Sequence, residues 1–190
     1  MANQQQPTWE NIAPYVASKR QAYDVGEERA EQIVSFLKRR LNTEHVEYWL
    51  RGTHGPGSEY ASCSRFFVHY DCNWHPVEDR SEACEHGIVV AVSERGPFVT
   101  CYGVSYSLEP HPIAKDRMWK VGKECAIANE RARDIAMKVA DAFDLIYVDA
   151  NYLRQFRLDP KELPWDDVLQ SLDIDCDEPT ALNILFCEDL

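Results

Sequence analysis

Apolar positions recur every three or four residues in two parts of the chain, which is the spacing of one face of an α-helix. The first part runs from Asp24 to Leu41, where Asp24 can cap the start of the helix and Glu27 can complete a capping box. The second part lies within Lys123 to Phe143. The sequence therefore predicts two amphipathic helices, each with an apolar face that must pack against another element.

Other segments follow the pattern of β-strands. Every second residue is apolar in His45–Arg51 (Val46, Tyr48 and Leu50) and in Arg65–Tyr70 (Phe66, Val68 and Tyr70), which is typical of half-buried strands. Ile88–Val92 is continuously apolar, as expected for a central strand. A turn at 93–97 then joins this strand to Phe98–Val104, so the two segments are predicted to form a hairpin.

The order of these elements favours an α+β fold. Leu145–Val148 adds a short buried strand after the second helix, and beyond Asp149 the chain is predicted as short helices divided by prolines. This order implies a mainly antiparallel four- to five-stranded sheet with helices packed on one face. We expect a flexible N-terminal tail over residues 1–10 and a single α+β domain over 11–190, with an acidic helical C-terminal portion at about 149–190.

Length and composition narrow the class of protein. The 190 residues are 45% hydrophobic and 27% charged, as in ordinary globular chains, and no apolar stretch reaches the ~18 residues of a membrane span. The net charge of −12 disfavours a general nucleic-acid binder and attachment to an anionic membrane surface. The polar N-terminus lacks the features of a signal peptide, so we expect a cytoplasmic protein with reduced cysteines.

The negative charge is concentrated near the C-terminal end of the chain. Residues 141–190 contain 13 acidic and three basic residues, against 19 acidic and 17 basic residues in the first 140. A concentrated negative field speeds the encounter with a cationic partner by ~10- to 10³-fold. We therefore predict a site for a basic protein partner, with the binding residues Trp165, Asp166, Asp167, Asp173, Asp175, Asp177 and Glu178. The alternative is a solvated surface that only keeps the protein soluble.

A group of cysteines and histidines lies between residues 63 and 86. Zinc takes four thiolate or imidazole ligands in a tetrahedron. Cys72 and His75 have a usable spacing, and Cys84 and His86 can supply the second pair, so these four residues are a candidate zinc site. The chain has no CxxC pair and no HExxH motif, and the alternative is an incidental grouping in a polar loop. No other cofactor is predicted.

Residue types suited to thiol catalysis are also present. A thiol enzyme needs a nucleophilic cysteine with a histidine and a carboxylate or amide nearby. Cys101, His111 and Asp116 supply these types, but Cys101 falls inside a predicted strand, where we expect an inert thiol. His54 and Ser58 lie in a glycine-containing loop that has neither the ending of a phosphate-binding loop nor a dinucleotide fingerprint.

Two classes of function follow from these patterns. The first is a soluble intracellular protein-binding module or inhibitor that uses the acidic C-terminal face to bind a basic partner. Immunity proteins and other inhibitors of basic nucleases use the same electrostatic logic, and the analogy is one of charge alone. The second is a small metal- or thiol-dependent enzyme that uses the Cys/His-containing 52–86 region. The sequence favours the first class. It does not determine the identity of the partner or the oligomeric state.

Overall fold

The computed structural model describes residues 6–17, 23, 25–43, 45–49, 63–72, 83–110, 118–126, 130–159 and 179–186. Within these ranges, five strands form a sheet in which each strand pairs antiparallel with the next along the chain. They are β1 (Val46–Trp49), β2 (Cys63–Cys72), β3 (Ala83–Ser93), β4 (Phe98–Pro110) and β5 (Met118–Ala126). A two-residue strand, β6 (Ile146–Tyr147), pairs parallel with the start of β4. The predicted α+β class with a mainly antiparallel sheet is confirmed.

The helices of the described residues are α1 (Trp9–Ala17), α2 (Glu27–Leu41), α3 (Glu130–Phe143), α4 (Ala150–Arg154) and α5 (Ala181–Phe186). α2 and α3 lie within the two segments that have helical spacing. Gly26, rather than Asp24, is the N-cap residue of α2, and Asn42 ends this helix in a left-handed conformation with φ 52°. Within the described ranges, each helix is too short or too polar to cross a bilayer.

The helices cover both faces of the sheet. Phe66, Ile88 and Val90 pack against α2 and α3 on one face. Phe67 and Val89 pack on the opposite face against α1, α4 and α5. This arrangement corrects the expectation that the helices pack on one face. The physical reason is visible in the sequence, because consecutive apolar residues in a strand indicate burial on both sides.

Two boundaries differ from the predicted ones. β5 occupies Met118–Ala126, so α3 begins at Glu130 rather than near Lys123. The charges within β5 interrupt its apolar alternation, and such charges are common on the edge strands of sheets. α1 begins at Trp9, inside the predicted flexible tail, and the Trp9 ring stacks on Phe156 with 4.4 Å between centroids. This stacking attaches α1 to the C-terminal part of the fold.

Candidate functional site

The residues on the two sides of the acidic C-terminal region are paired with each other. Arg157 and Thr180 form an isolated antiparallel bridge. Beside this bridge, the Leu158 amide donates to the Pro179 carbonyl at 2.8 Å. The two ends of residues 160–178 are therefore held side by side.

The chain that follows the acidic region is fixed by α5. All six residues of Ala181–Phe186 are buried, and the Ala181 amide donates to the Phe156 carbonyl at 3.0 Å. The side-chain oxygen of Asn183 accepts hydrogen bonds from the amide of Thr180 at 2.7 Å and from its hydroxyl at 2.6 Å. These bonds satisfy donors at the start of the helix, as a cap does. The anchor is therefore part of the apolar core.

The chain that precedes the acidic region is fixed by α4. Asp149 is the N-cap residue of this helix, and its Oδ1 accepts a hydrogen bond from the Tyr152 amide at 3.1 Å. The amide of Asp149 donates to Gln6 Oε1 at 3.4 Å, so the segment before α1 also meets α4. The Tyr152 ring packs edge-on against Phe156, with 4.9 Å between centroids. Both ends of 160–178 are thus tied to packed helices.

Residues 160–178, here called the acidic segment, contain seven acidic residues and one lysine. The segment is 19 residues long, and the residues that flank its two ends are paired at the bridge. All seven predicted binding residues fall within it and lie outside the described residues: Trp165, Asp166, Asp167, Asp173, Asp175, Asp177 and Glu178. Their role in binding stays a prediction.

Cys101 is buried in β4 with 4% of its surface exposed. Burial raises the pKa of its thiol to about 12, and a hydrogen bond with Tyr147 lowers it only in part. The pKa of Tyr147 is raised too, by burial first and then by Cys101 and Asp149, and its hydroxyl donates to Asp149 Oδ2 at 3.4 Å. A protonated, buried thiol is a poor nucleophile. His111 and Asp116 lie outside the described residues.

Three of the four candidate zinc ligands lie on adjacent strands. Cys72 ends β2 and pairs with Glu85, the residue between Cys84 and His86 on β3. His75 lies outside the described residues, and the zinc site stays a prediction. Among the described residues, no group of three or more His, Cys, Asp or Glu side chains is arranged to hold a metal ion.

The turn between β3 and β4 is buried, which its composition does not reveal. Glu94 is 0% exposed and Arg95 is 3% exposed. The hydroxyl of Ser64 donates to Glu94 Oε1 at 3.0 Å. A Cβ on Gly96 would lie 2.6 Å from Tyr15 Cδ1, so α1 covers the turn closely. The sequence predicts the turn but not its burial, because turn residues are the same whether or not another element covers them.

A groove of about 460 Å³ lies between α2 and α3. Its lining includes Glu28 and Glu31 from the first half of α2 and Arg39 from the last turn. Phe36 and Phe143 also line it, and their rings meet edge to face with 5.7 Å between centroids. Acidic residues at the start of a helix and basic residues at its end both stabilise the helix dipole. The stability of α2 is therefore a sufficient reason for these charges.

The remaining candidates, His54 and Ser58, lie outside the described residues. Comparison of the chain with protein-family models, with curated proteins and with solved structures finds no match.

Proposed function

We propose that the protein is a binding module that recognises a basic protein partner through the acidic segment. The bridge between Arg157 and Thr180 carries the proposal, because it pairs the residues that flank the two ends of the acidic segment. This segment contains seven carboxylates and one lysine. Trp165 belongs to the same segment and supplies an aromatic anchor among the acids. Aromatic anchors surrounded by charged residues are common at protein interfaces. The partner would present lysine or arginine side chains to this surface.

Electrostatic attraction contributes to this association mainly through its rate. Near 0.15 M salt the Debye length is about 8 Å, so only closely grouped carboxylates act together on an approaching cation. A grouped field raises the association rate by ~10- to 10³-fold, and the gain falls as salt rises. The bridge favours such grouping. Asp159, which directly precedes the acidic segment, is a further exposed acidic residue. If the partner is a basic nuclease, occupation of its phosphate-binding surface would inhibit it.

Affinity capture from the native organism at two salt concentrations tests the proposal. The protein is immobilised at about 0.1 M salt, and retained proteins are identified by mass spectrometry before and after a wash at about 1 M salt. We expect a cationic protein to be retained at low salt and released at high salt, because screening weakens the attraction. Its binding is then measured with purified components, so that the rate and its salt dependence are known.

A pair of variants with the same change in net charge separates a local surface from general acidity. The test variant neutralises acids of the acidic segment: Asp166→Asn, Asp167→Asn, Asp173→Asn, Asp175→Asn and Asp177→Asn. The control neutralises exposed acids of α2 and α3: Glu27→Gln, Glu28→Gln, Glu31→Gln, Glu130→Gln and Asp134→Asn. We expect the test variant to lose the partner and the control to keep it. Unchanged binding by the test variant, or an equal loss in both, contradicts the proposal.

A further inference from the structure

The outer face of α2 carries one continuous polar stripe. Glu28, Gln32, Ser35 and Arg39 are separated by four, three and four positions, which places them on the same side of the helix. All four residues are exposed, and all four line the groove between α2 and α3. The inner side of α2 is buried in the core. The stripe is therefore the face of α2 that an approaching molecule meets.

The groove beside the stripe has an apolar part. Phe36 and Phe143 line it, and both rings are only partly buried against the core. Each ring has a small exposed residue directly before it in the chain, Ser35 on α2 and Ala142 on α3. The distance between packed helices depends on the side chains at the contact, and small side chains shorten it. A further helix can therefore come close enough to cover the two rings.

The order of residues along α2 makes this helix complementary to an antiparallel copy of itself. The six residues of α2 that line the groove lie at equal distances on either side of one point, between positions 33 and 34. The equidistant pairs are Glu28 and Arg39, Glu31 and Phe36, and Gln32 and Ser35. An antiparallel copy that crosses at this point brings Glu28 of each chain opposite Arg39 of the other. Each contact then occurs twice, as a twofold interface requires.

The net charge of α2 also favours the approach of two copies at this face. The whole chain has a net charge of −12, so two copies repel each other over most of their surfaces. α2 contains three acidic and four basic residues, so this general repulsion is weakest there. A parallel copy would place acidic residues opposite acidic residues, which electrostatic repulsion disfavours. The charges therefore select the antiparallel arrangement.

We propose that α2 is a self-association surface, at which two copies of the chain meet antiparallel about a twofold axis. Glu28 pairs with Arg39 of the second copy, and the helix of that copy covers Phe36 and Phe143. Nε of Arg39 donates to the Ser35 carbonyl at 3.2 Å within its own helix, and a guanidinium has further N–H groups that can reach a carboxylate. This association does not depend on the binding proposed for the acidic segment.

The size of α2 limits the strength of the association. The helix has 15 residues, so it is about 22 Å long, and its outer face is about 10 Å wide. A standard protein interface buries about 800 Å² on each partner, which is more than this face provides. We therefore expect a reversible equilibrium of monomer and dimer, with a dissociation constant in the micromolar range.

Sedimentation equilibrium of the full-length protein between about 1 μM and about 1 mM measures this equilibrium. We expect the native protein to shift from monomer to dimer over this range. Glu28→Lys or Arg39→Glu alone should raise the dissociation constant about 10-fold or more, because like charges then meet at both symmetric contacts. Ser35→Arg places a long side chain at the crossing point and should also weaken the dimer. Circular dichroism checks that each variant folds.

A mixture of the two charge variants tests the antiparallel arrangement. In a mixed dimer, the lysine introduced by Glu28→Lys faces the glutamate introduced by Arg39→Glu, and the unchanged Arg39 and Glu28 face each other at the second contact. We therefore expect the mixture to form dimers as strongly as the native protein, although neither variant does so alone. Glu10→Lys is the control, because it has the same change in net charge as Glu28→Lys and lies on α1, on the opposite face of the sheet. It should form dimers like the native protein.

Three results would overturn the proposal. One is a native protein that stays monomeric at every concentration, and this result needs no variant. If another protein then binds the monomer and Glu28→Lys releases it, the groove holds a helix of a different chain. The second is a dimer that Glu28→Lys and Arg39→Glu leave unchanged, since another surface would then hold it. The third is a mixture of the two folded variants that stays as weakly associated as each variant alone.

Discussion

Raising the pH above 9 should destabilise the protein through the thiol of Cys101. Burial raises the pKa of this thiol to about 12 in the folded chain, against 9.0 for an exposed thiol. Between these two values the unfolded chain has lost a proton that the folded chain retains. The stabilisation is therefore fully present below pH 9 and is lost as the pH rises toward 12.

The size of the effect follows from the two pKa values of Cys101. At pH 10 the thiol is about 90% ionised in the unfolded chain and about 1% ionised in the folded chain. One pKa unit corresponds to about 1.4 kcal/mol, so the free energy of unfolding should fall by about 1 to 2 kcal/mol between pH 7.5 and pH 10. The raised pKa of Tyr147 acts in the same direction at still higher pH.

Urea unfolding followed by far-ultraviolet circular dichroism measures this loss at pH 7.5, 9 and 10. Between pH 7.5 and pH 10, we expect the free energy of unfolding of Cys101→Ala to fall by about 1 to 2 kcal/mol less than that of the native protein. The variant has no thiol to titrate at this position. Val90→Ala is the matched control, since Val90 is buried and pairs with Cys101 across β3 and β4. The control should be less stable at every pH with an unchanged pH dependence. If the native protein and Cys101→Ala share one pH dependence, the argument from burial is refuted.

Three further changes test the packing around the candidate sites. Gly96→Ala brings a Cβ to 2.6 Å from Tyr15 Cδ1, so we expect the free energy of unfolding in urea to fall by about 1 to 3 kcal/mol. An unchanged free energy of unfolding would mean that α1 moves aside at little cost. Asn183→Ala removes the acceptor of both donors of Thr180, and we expect a loss of about 1 to 2 kcal/mol together with faster proteolysis within residues 160–178. Gly26→Ser supplies the side-chain cap that α2 lacks, in a place with no atom within 4 Å, and should raise the melting temperature slightly; a lower value contradicts this.

The helices and central strands could be predicted because their patterns are local. The stripe of α2 repeats at the helical period, and the uninterrupted apolar run of β3 indicates a strand at the centre of a sheet. β5 has no such pattern, because an edge strand needs few apolar residues and tolerates charge. The two-faced burial was readable in Phe66 and Phe67, which are adjacent and therefore face opposite sides.

The candidate site depends on a feature that spacing along the chain does not encode. The bridge between Arg157 and Thr180 joins positions on either side of the acidic segment, and neither residue has a distinctive context in sequence. The sequence therefore shows how many acids lie in one stretch, while the fold shows where that stretch begins and ends in space.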